Sequence, residues 1–307
     1  MKKIIIKSLI ITIIVLVIAT IGGSFFMLHI SLDPYANRRD TASRLQREFD
    51  RYPETIQWFD SIKSVGAFRD TFATLSTGDR LHAYYINNNS KKTAMVLHGW
   101  HDCALDYLYL ARIYDHILGY NVLMPEFYAH GFSDGSKVRM GWLDRFDMLG
   151  WMEMFKTDTM VVHGVSMGGA TTMMISGEKI PDGIIDIRFV EDCGYTDVWD
   201  EFEYELKKEF GLPAFPLMYT TDWLCRWRYG WGFKEASAIN QVKKCKYPML
   251  MIHGGNDKFV PTEMVYRVYD AKPMPKQLWV ADSSAHVFSY KDHRDEYIKK
   301  IVDFCSE

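Results

Sequence analysis

Apolar residues in this chain fall into short blocks, most of which do not alternate with polar ones, at residues 93–97, 121–124, 160–162, 185–190, 248–252 and 277–280. Segments with helical spacing lie between them, such as 104–118, which stops at Gly119, and the terminal stretch from about 290 to 305. Strands apolar on both sides, separated by helices, predict a mostly parallel central sheet covered by helices on both faces. Two further strands, 68–75 and 81–86, flank the turn Ser76-Thr77-Gly78-Asp79 and predict an antiparallel hairpin at the start of that sheet. Ligands of such sheets sit beyond the carboxyl ends of the strands, so the loops after each strand are where chemistry is sought.

The first segment has a different pattern. Lys2, Lys3 and Lys7 precede residues 8–32, which contain no Asp, Glu, Lys or Arg. About 20 apolar residues suffice to cross a bilayer as a helix, and flanking lysines stay on the cytoplasmic side. Residues 1–32 therefore predict an N-terminal transmembrane anchor with the rest of the chain extracytoplasmic. A cleaved signal segment, cut near Ala19, Gly22, Gly23 or Ser24, is the competing reading, but Phe25, Phe26, Met27 and Leu28 prolong the apolar run beyond a usual signal core. Residues 33–67 read as a charged stalk or helical linker, with Arg38, Arg39, Arg44, Arg47 and Asp50 on a solvated face. Residues 68–307 read as one catalytic-sized domain.

Composition narrows the function classes. With 307 residues, 48% of them hydrophobic, the chain can bury one large core. A net charge of −3 and no basic stripe give no footprint for nucleic acid. Cys103, Cys193, Cys225, Cys245 and Cys305 lack metal-ligand spacing. A Cys225–Cys245 bridge fits an oxidising compartment, while buried thiols are the plainer reading. His101 and Asp102 make a poor metal site without further ligands. No metal and no organic cofactor are expected, and oligomeric state is not legible.

The chemistry centres on Gly164-Val165-Ser166-Met167-Gly168, where an apolar strand gives way to a helix-compatible run. Such a turn holds a serine hydroxyl up at the sheet edge and needs small residues where strand and helix cross. The N–H of Met167, at the helix start, points toward an oxyanion formed on a group attacked by Ser166. After the block ending at residue 252 comes His253-Gly254-Gly255-Asn256-Asp257, and after the one ending at 280 comes Asp282-Ser283-Ser284-Ala285-His286. Serine, acid and histidine thus lie at three strand ends: imidazole can take and return the hydroxyl proton, and a buried carboxylate can orient the ring. Asp192, after the block at 185–190, is an alternative acid.

From about residue 68 to the end the chain resembles the α/β-hydrolase superfamily, within it the serine hydrolases of the esterase and serine-aminopeptidase type. The resemblance rests on His98-Gly99-Trp100, Gly164-Val165-Ser166-Met167-Gly168, the His253 to Pro261 segment and His286, in the family's order. It implies Ser166 as nucleophile, Asp257 as acid and His286 as base, with the N–H groups of Trp100 and Met167 as oxyanion hole and His98 bracing that loop. Ala129-His130-Gly131-Phe132-Ser133 is similar to the family's R-G-x-G-x-S loop, although Tyr128 and Ala129 stand where many members carry Arg and Gly.

Between the sixth and seventh expected strands, 185–190 and 248–252, the rhythm breaks at about 195–240, where this superfamily inserts a helical lid. Its many aromatics, among them Trp199, Phe202, Phe210, Trp223 and Trp227, predict walls for an apolar pocket or, for most of them, packing of the lid onto the domain, while Asp197, Asp200, Glu201, Glu203 and Glu205 predict its wet face. The expected activity is cleavage of a carboxylic ester through an acyl-enzyme intermediate. A peptidase of the same chemistry and a noncatalytic binding protein on this fold are the alternatives, and the expected partners are a small ester or peptide substrate and the membrane.

Overall fold

The computed structural model describes residues 2–36, 38–75 and 77–307. Its strands are β1 (Phe68–Thr74), β2 (Arg80–Ile86), β3 (Lys92–Leu97), β4 (Asn121–Pro125), β5 (Thr159–Val165), β6 (Asp186–Asp192), β7 (Met249–Gly254) and β8 (Lys276–Ala281). They form one sheet in the order β1-β2-β4-β3-β5-β6-β7-β8. β2 pairs antiparallel with β1 and β4, and every other pair is parallel. The order reverses at β3, which lies between β4 and β5, so the loops after β3 and β5 open next to each other at the middle of the sheet. Ser76 of the expected hairpin turn lies outside the described residues.

Both faces of the sheet are covered, which explains the missing alternation. Met95, Leu97, Met160 and Val162 enter one core with Trp151, Met173 and Phe189. Ala94, Val96, Val161 and Val165 enter the other with Tyr114, Tyr297 and Phe304. The helices are α1 (Lys2–Leu32), α2 (Thr41–Arg51), α3 (Ile56–Ser64), α4 (Leu108–Arg112), α5 (Asp144–Met154), α6 (Met167–Ser176), α7 (Val198–Phe210), α8 (Leu217–Tyr229), α9 (Ala238–Val242), α10 (Glu263–Ala271), α11 (Ser289–Asp292) and α12 (Arg294–Ser306). α7 and α8 stand between β6 and β7 in the chain.

Two expectations change. The helix expected over 104–118 is a 3₁₀ turn (Ala104–Tyr107), then α4, then a π turn (Ile113–Ile117). The cause lies in α2: Glu48 Oε1 accepts the Tyr109 N–H at 2.9 Å, which takes away a donor that a continuous helix would spend internally. The segment around α2 is also not wholly solvated. Arg44 and Glu48 are buried, Arg44 pairs with Asp106 and donates to the His101 carbonyl at 2.8 Å, and these contacts dock α2 on the loop after β3. A sequence shows charge but not whether a counter-charge waits 62 residues away.

α1 is long and apolar enough to cross a membrane. Most of its length is exposed, but Met27, Leu28 and Leu32 at its end are buried in the core that contains Trp151 and Phe189. Val138 N–H donates to Leu32 O at 2.7 Å and the Trp100 indole N–H to Ser31 O at 3.2 Å, so the end of α1 is fastened to the globular part.

Candidate active site

β5 is buried from Met160 to Val165 and ends at Ser166, whose φ of 57° and ψ of −118° make it the sharp corner before α6. The corner closes because of two glycines. A Cβ on Gly164 would overlap the Gly168 carbonyl, and one on Gly168 would overlap the Leu97 carbonyl of β3. Ser166 N–H donates to Asp192 O at 2.8 Å, which fixes the corner against the end of β6. Met167, the first residue of α6, has an N–H with no acceptor inside the helix.

The structure brings Ser166, His286 and Asp257 together although they lie on different loops. Ser166 Oγ is 2.9 Å from His286 Nε2, and His286 Nδ1 is 2.7 Å from Asp257 Oδ2. The other Asp257 oxygen accepts N–H groups of Phe259 and Val260 at 2.9 and 3.0 Å, so the carboxylate cannot turn. Burial opposes its ionisation, but the imidazoles of His253 and His286 outweigh burial and hold the carboxyl down at about 2. An ionised carboxylate only accepts, so the imidazole proton sits on Nδ1 and the Nε2 lone pair faces the serine hydroxyl.

Asp192 is engaged elsewhere: Tyr297 O–H donates to its Oδ2 at 2.9 Å, at the end of a buried chain through His163 and Tyr114. Burial pushes the Asp192 carboxyl up to about 6. His101 and Asp102 do not converge on a common point, since His101 Nε2 donates to Asp33 O and Asp102 accepts from the Tyr107 hydroxyl. Among the described residues, the ligand atoms of Cys193, Asp257 and His286 lie within 4.8 Å of one another, with the acid and imidazole already bonded to each other. Burial pushes the Cys193 thiol well above its ordinary value, as a packed side chain requires. All five cysteines are buried and unbridged, so the Cys225–Cys245 pairing is not formed.

The loop after β3 borders the serine. A Cβ on Gly99 would lie 3.6 Å from Ser166 Cβ. Two buried histidines hold the loop in place. His98 Nε2 accepts the Phe127 N–H at 3.1 Å, which leaves Nδ1–H to donate to Gly99 O at 2.8 Å. His130 Nε2 accepts the His101 N–H at 3.3 Å. Burial lowers His98 to about 4 and His130 well below the usual range, so both serve as neutral struts. The role of His130 was not legible, because its partner is a backbone group 29 residues away.

An apolar pocket opens beside Ser166 and Met167, with Trp100 and Tyr195 on one side, Phe202, Leu206 and Phe210 of α7 on another, and Met27 and Ile30 of α1 on a third. Of the lid aromatics, Tyr195, Phe202 and Phe210 line it. Trp231 and Phe233 are buried in the core, whereas Trp223 and Trp227 face outward. Glu201 is not on a wet face. It is 4% exposed, lines the pocket, and both its oxygens lack a partner among the described residues. Burial, reinforced by Glu205 and Asp257, raises its carboxyl well above the usual range. The i, i+4 spacing of Glu201 and Glu205 was a signal for one helix face, but not for which face.

Residues 142–307 match the family model of the prolyl oligopeptidase family, which is more than half of the chain. The uncharacterized protein YqkD of Bacillus subtilis is 26% identical over 306 residues, covering 97% of each chain. The uncharacterized protein YfhR of Escherichia coli is 23% identical over 194 residues, 60% of each chain. Among solved structures, the Pyrococcus furiosus esterase Pf2001 superposes with a TM-score of 0.63 at 23% identity, covering 80% of this chain and 94% of that one. The Exiguobacterium antarcticum esterase EaEST gives 0.56 at 15% identity, covering 77% and 99%. These likenesses establish the fold as that of the α/β hydrolases.

Proposed function

The chain belongs to the prolyl oligopeptidase family of hydrolases, and from that premise we propose that it is a membrane-anchored serine hydrolase that cleaves a carboxylic ester through an acyl-enzyme intermediate. The reading rests above all on the Ser166 Oγ to His286 Nε2 distance of 2.9 Å, with Asp257 2.7 Å behind the ring. In this mechanism His286 Nε2 takes the hydroxyl proton as Ser166 Oγ bonds to the carbonyl carbon. Asp257 steadies the imidazolium, and the N–H groups of Met167 and Trp100 receive the oxyanion. The ester C–O bond then breaks, His286 hands its proton to the leaving alcohol, and water repeats the sequence to release the acid. The apolar pocket beside Ser166 supports an acyl group as the part held.

A peptidase of the same chemistry is the second reading, favoured by the family match. Turnover of short-acyl nitrophenyl esters against aminoacyl nitroanilides separates the two, and turnover of the anilides alone would reverse the order. Labelling of Ser166 by a fluorophosphonate probe, lost in Ser166→Ala, tests the enzyme reading. Equal absence of labelling in folded wild type and variant would leave a binding protein. α1 is read as the anchor, with Lys2, Lys3 and Lys7 cytoplasmic and the site outside.

A further inference from the structure

The lid helix α8 meets α1 in a way that acyl transfer does not require. Leu217 and Arg228 are separated by about 16 Å along α8 at the usual helical rise, yet both reach the same turn of α1. A Cβ on Gly23 would lie 3.0 Å from Leu217, and Thr220 Oγ1 is 2.6 Å from Ser24 Oγ. Thr221 Oγ1 is 3.9 Å from Met27 Sδ, and the Arg228 guanidinium lies 6.0 Å from the centre of the Phe25 ring. α8 therefore crosses α1 instead of running beside it. With α1 upright in a bilayer, α8 lies along the surface.

The outward face of α8 fits that position. Phe215, just before the helix, and Tyr219, Trp223 and Trp227 recur every fourth residue and are 72, 51, 65 and 71% exposed, while Met218, Thr221 and Cys225 on the other side are buried. A groove between the two helices is lined by Ile13, Leu16 and Ile21 of α1 and by Phe215 and Trp223, so the stripe points along α1 toward its apolar middle. Counted from Lys7, about 20 residues cross the hydrocarbon and end near Met27. The groove then lies inside the apolar layer and the crossing at its outer edge, the depth at which Trp and Tyr gather. Directly beyond the crossing, Met27, Ile30 and Ser31 line the pocket that contains Ser166.

We propose that α8 is seated in the membrane interface and that the pocket takes the acyl chain of an ester resident in that leaflet, entering between α1 and α7. The proposal rests on the reading of Ser166 as nucleophile and of α1 as anchor. It narrows the substrate to a lipid-like acyl ester, whose chain passes from hydrocarbon to the apolar pocket without crossing water. The step itself is the acyl transfer already described: Ser166 Oγ gains the acyl group, the alcohol leaves with the proton from His286, and water releases the fatty acid.

The test uses the full chain in phosphatidylcholine vesicles, as wild type and as Trp223→Ser/Trp227→Ser. 4-Methylumbelliferyl oleate is dissolved in the vesicles and 4-nitrophenyl acetate in the water. Brominated phosphatidylcholine is expected to quench wild-type tryptophan fluorescence, and less so in the variant. The variant is expected to lose about tenfold in kcat/KM on the oleate, with fluorophosphonate labelling and acetate turnover within about twofold of wild type. Unchanged quenching, or equal loss on both esters, would overturn the proposal. A second copy of the chain covering α8 would also overturn it, and would show as unquenched tryptophans with concentration-dependent cross-linking. Absence of labelling in the wild type would remove the nucleophile and with it the substrate assignment, while quenching still decides the seat of α8.

Discussion

Replacing Asp257 by Asn probes the site with almost no change of shape. Phe259 and Val260 N–H groups, at 2.9 and 3.0 Å, hold one carboxylate oxygen. An amide must turn its oxygen toward them, which places its NH₂ at the other oxygen's position, 2.7 Å from His286 Nδ1. Two donors cannot face each other there, so the imidazole proton moves to Nε2, 2.9 Å from Ser166 Oγ. That nitrogen then has no lone pair for the serine proton. The expected result is a loss of about 10,000-fold in kcat with KM nearly unchanged, or about 5 kcal/mol of transition-state stabilisation. Turnover of 4-nitrophenyl butyrate, normalised by fluorophosphonate titration of active protein, measures it. Asp192→Asn is the control, since its Tyr297 hydrogen bond survives in an amide, and activity should stay within a few-fold. A loss below about tenfold in Asp257→Asn, or an equal loss in Asp192→Asn, would refute the assignment of the acid. Because the Asp257 carboxyl is held down at about 2, its contribution to stability is present above the ordinary value of 3.8 and is lost as pH falls through about 2. The Asn variant should lack that acid limb.

Three further outcomes follow from packing and burial. Burial pushes the Glu191 carboxyl up to about 8, so the stability it contributes is present below the ordinary value of 4.5 and lost as pH rises through about 8. Glu191→Gln should flatten the fall in unfolding free energy between about pH 5 and pH 8 by on the order of a few kcal/mol, read from denaturant titrations, and an equal or steeper fall would contradict the burial argument. Gly168→Ala drives a methyl into the Leu97 carbonyl and should cost about 3 kcal/mol or more, read as loss of folded yield or of denaturant midpoint. Leu32→Ala removes a fully buried side chain from the end of α1 and should cost about 2–4 kcal/mol, whereas a midpoint equal to wild type would mean that the helix end is not part of the core.

The sequence by itself determined the sheet, the loops that carry Ser166, Asp257 and His286, and the apolar first helix. Periodicity reports local burial, so unalternating blocks such as 93–97 and 160–162 announced strands covered on both faces. The elbow at Ser166 was legible because its requirement for Gly164 and Gly168 is local, and the loops holding Asp257 and His286 because chemistry in a parallel sheet gathers at strand ends. Tertiary structure decided what depends on partners distant in the chain. Arg44 and Glu48 looked solvated until Asp106 and the Tyr109 N–H were brought to them, and Glu201 looked wet until α7 turned it into the pocket. The rings of Trp223 and Trp227 were read as walling a pocket or packing the lid onto the domain, but both face outward, and Trp223 lines a groove against α1. Composition records what a side chain can bury or pair with, and only the folded chain selects the neighbour that it meets.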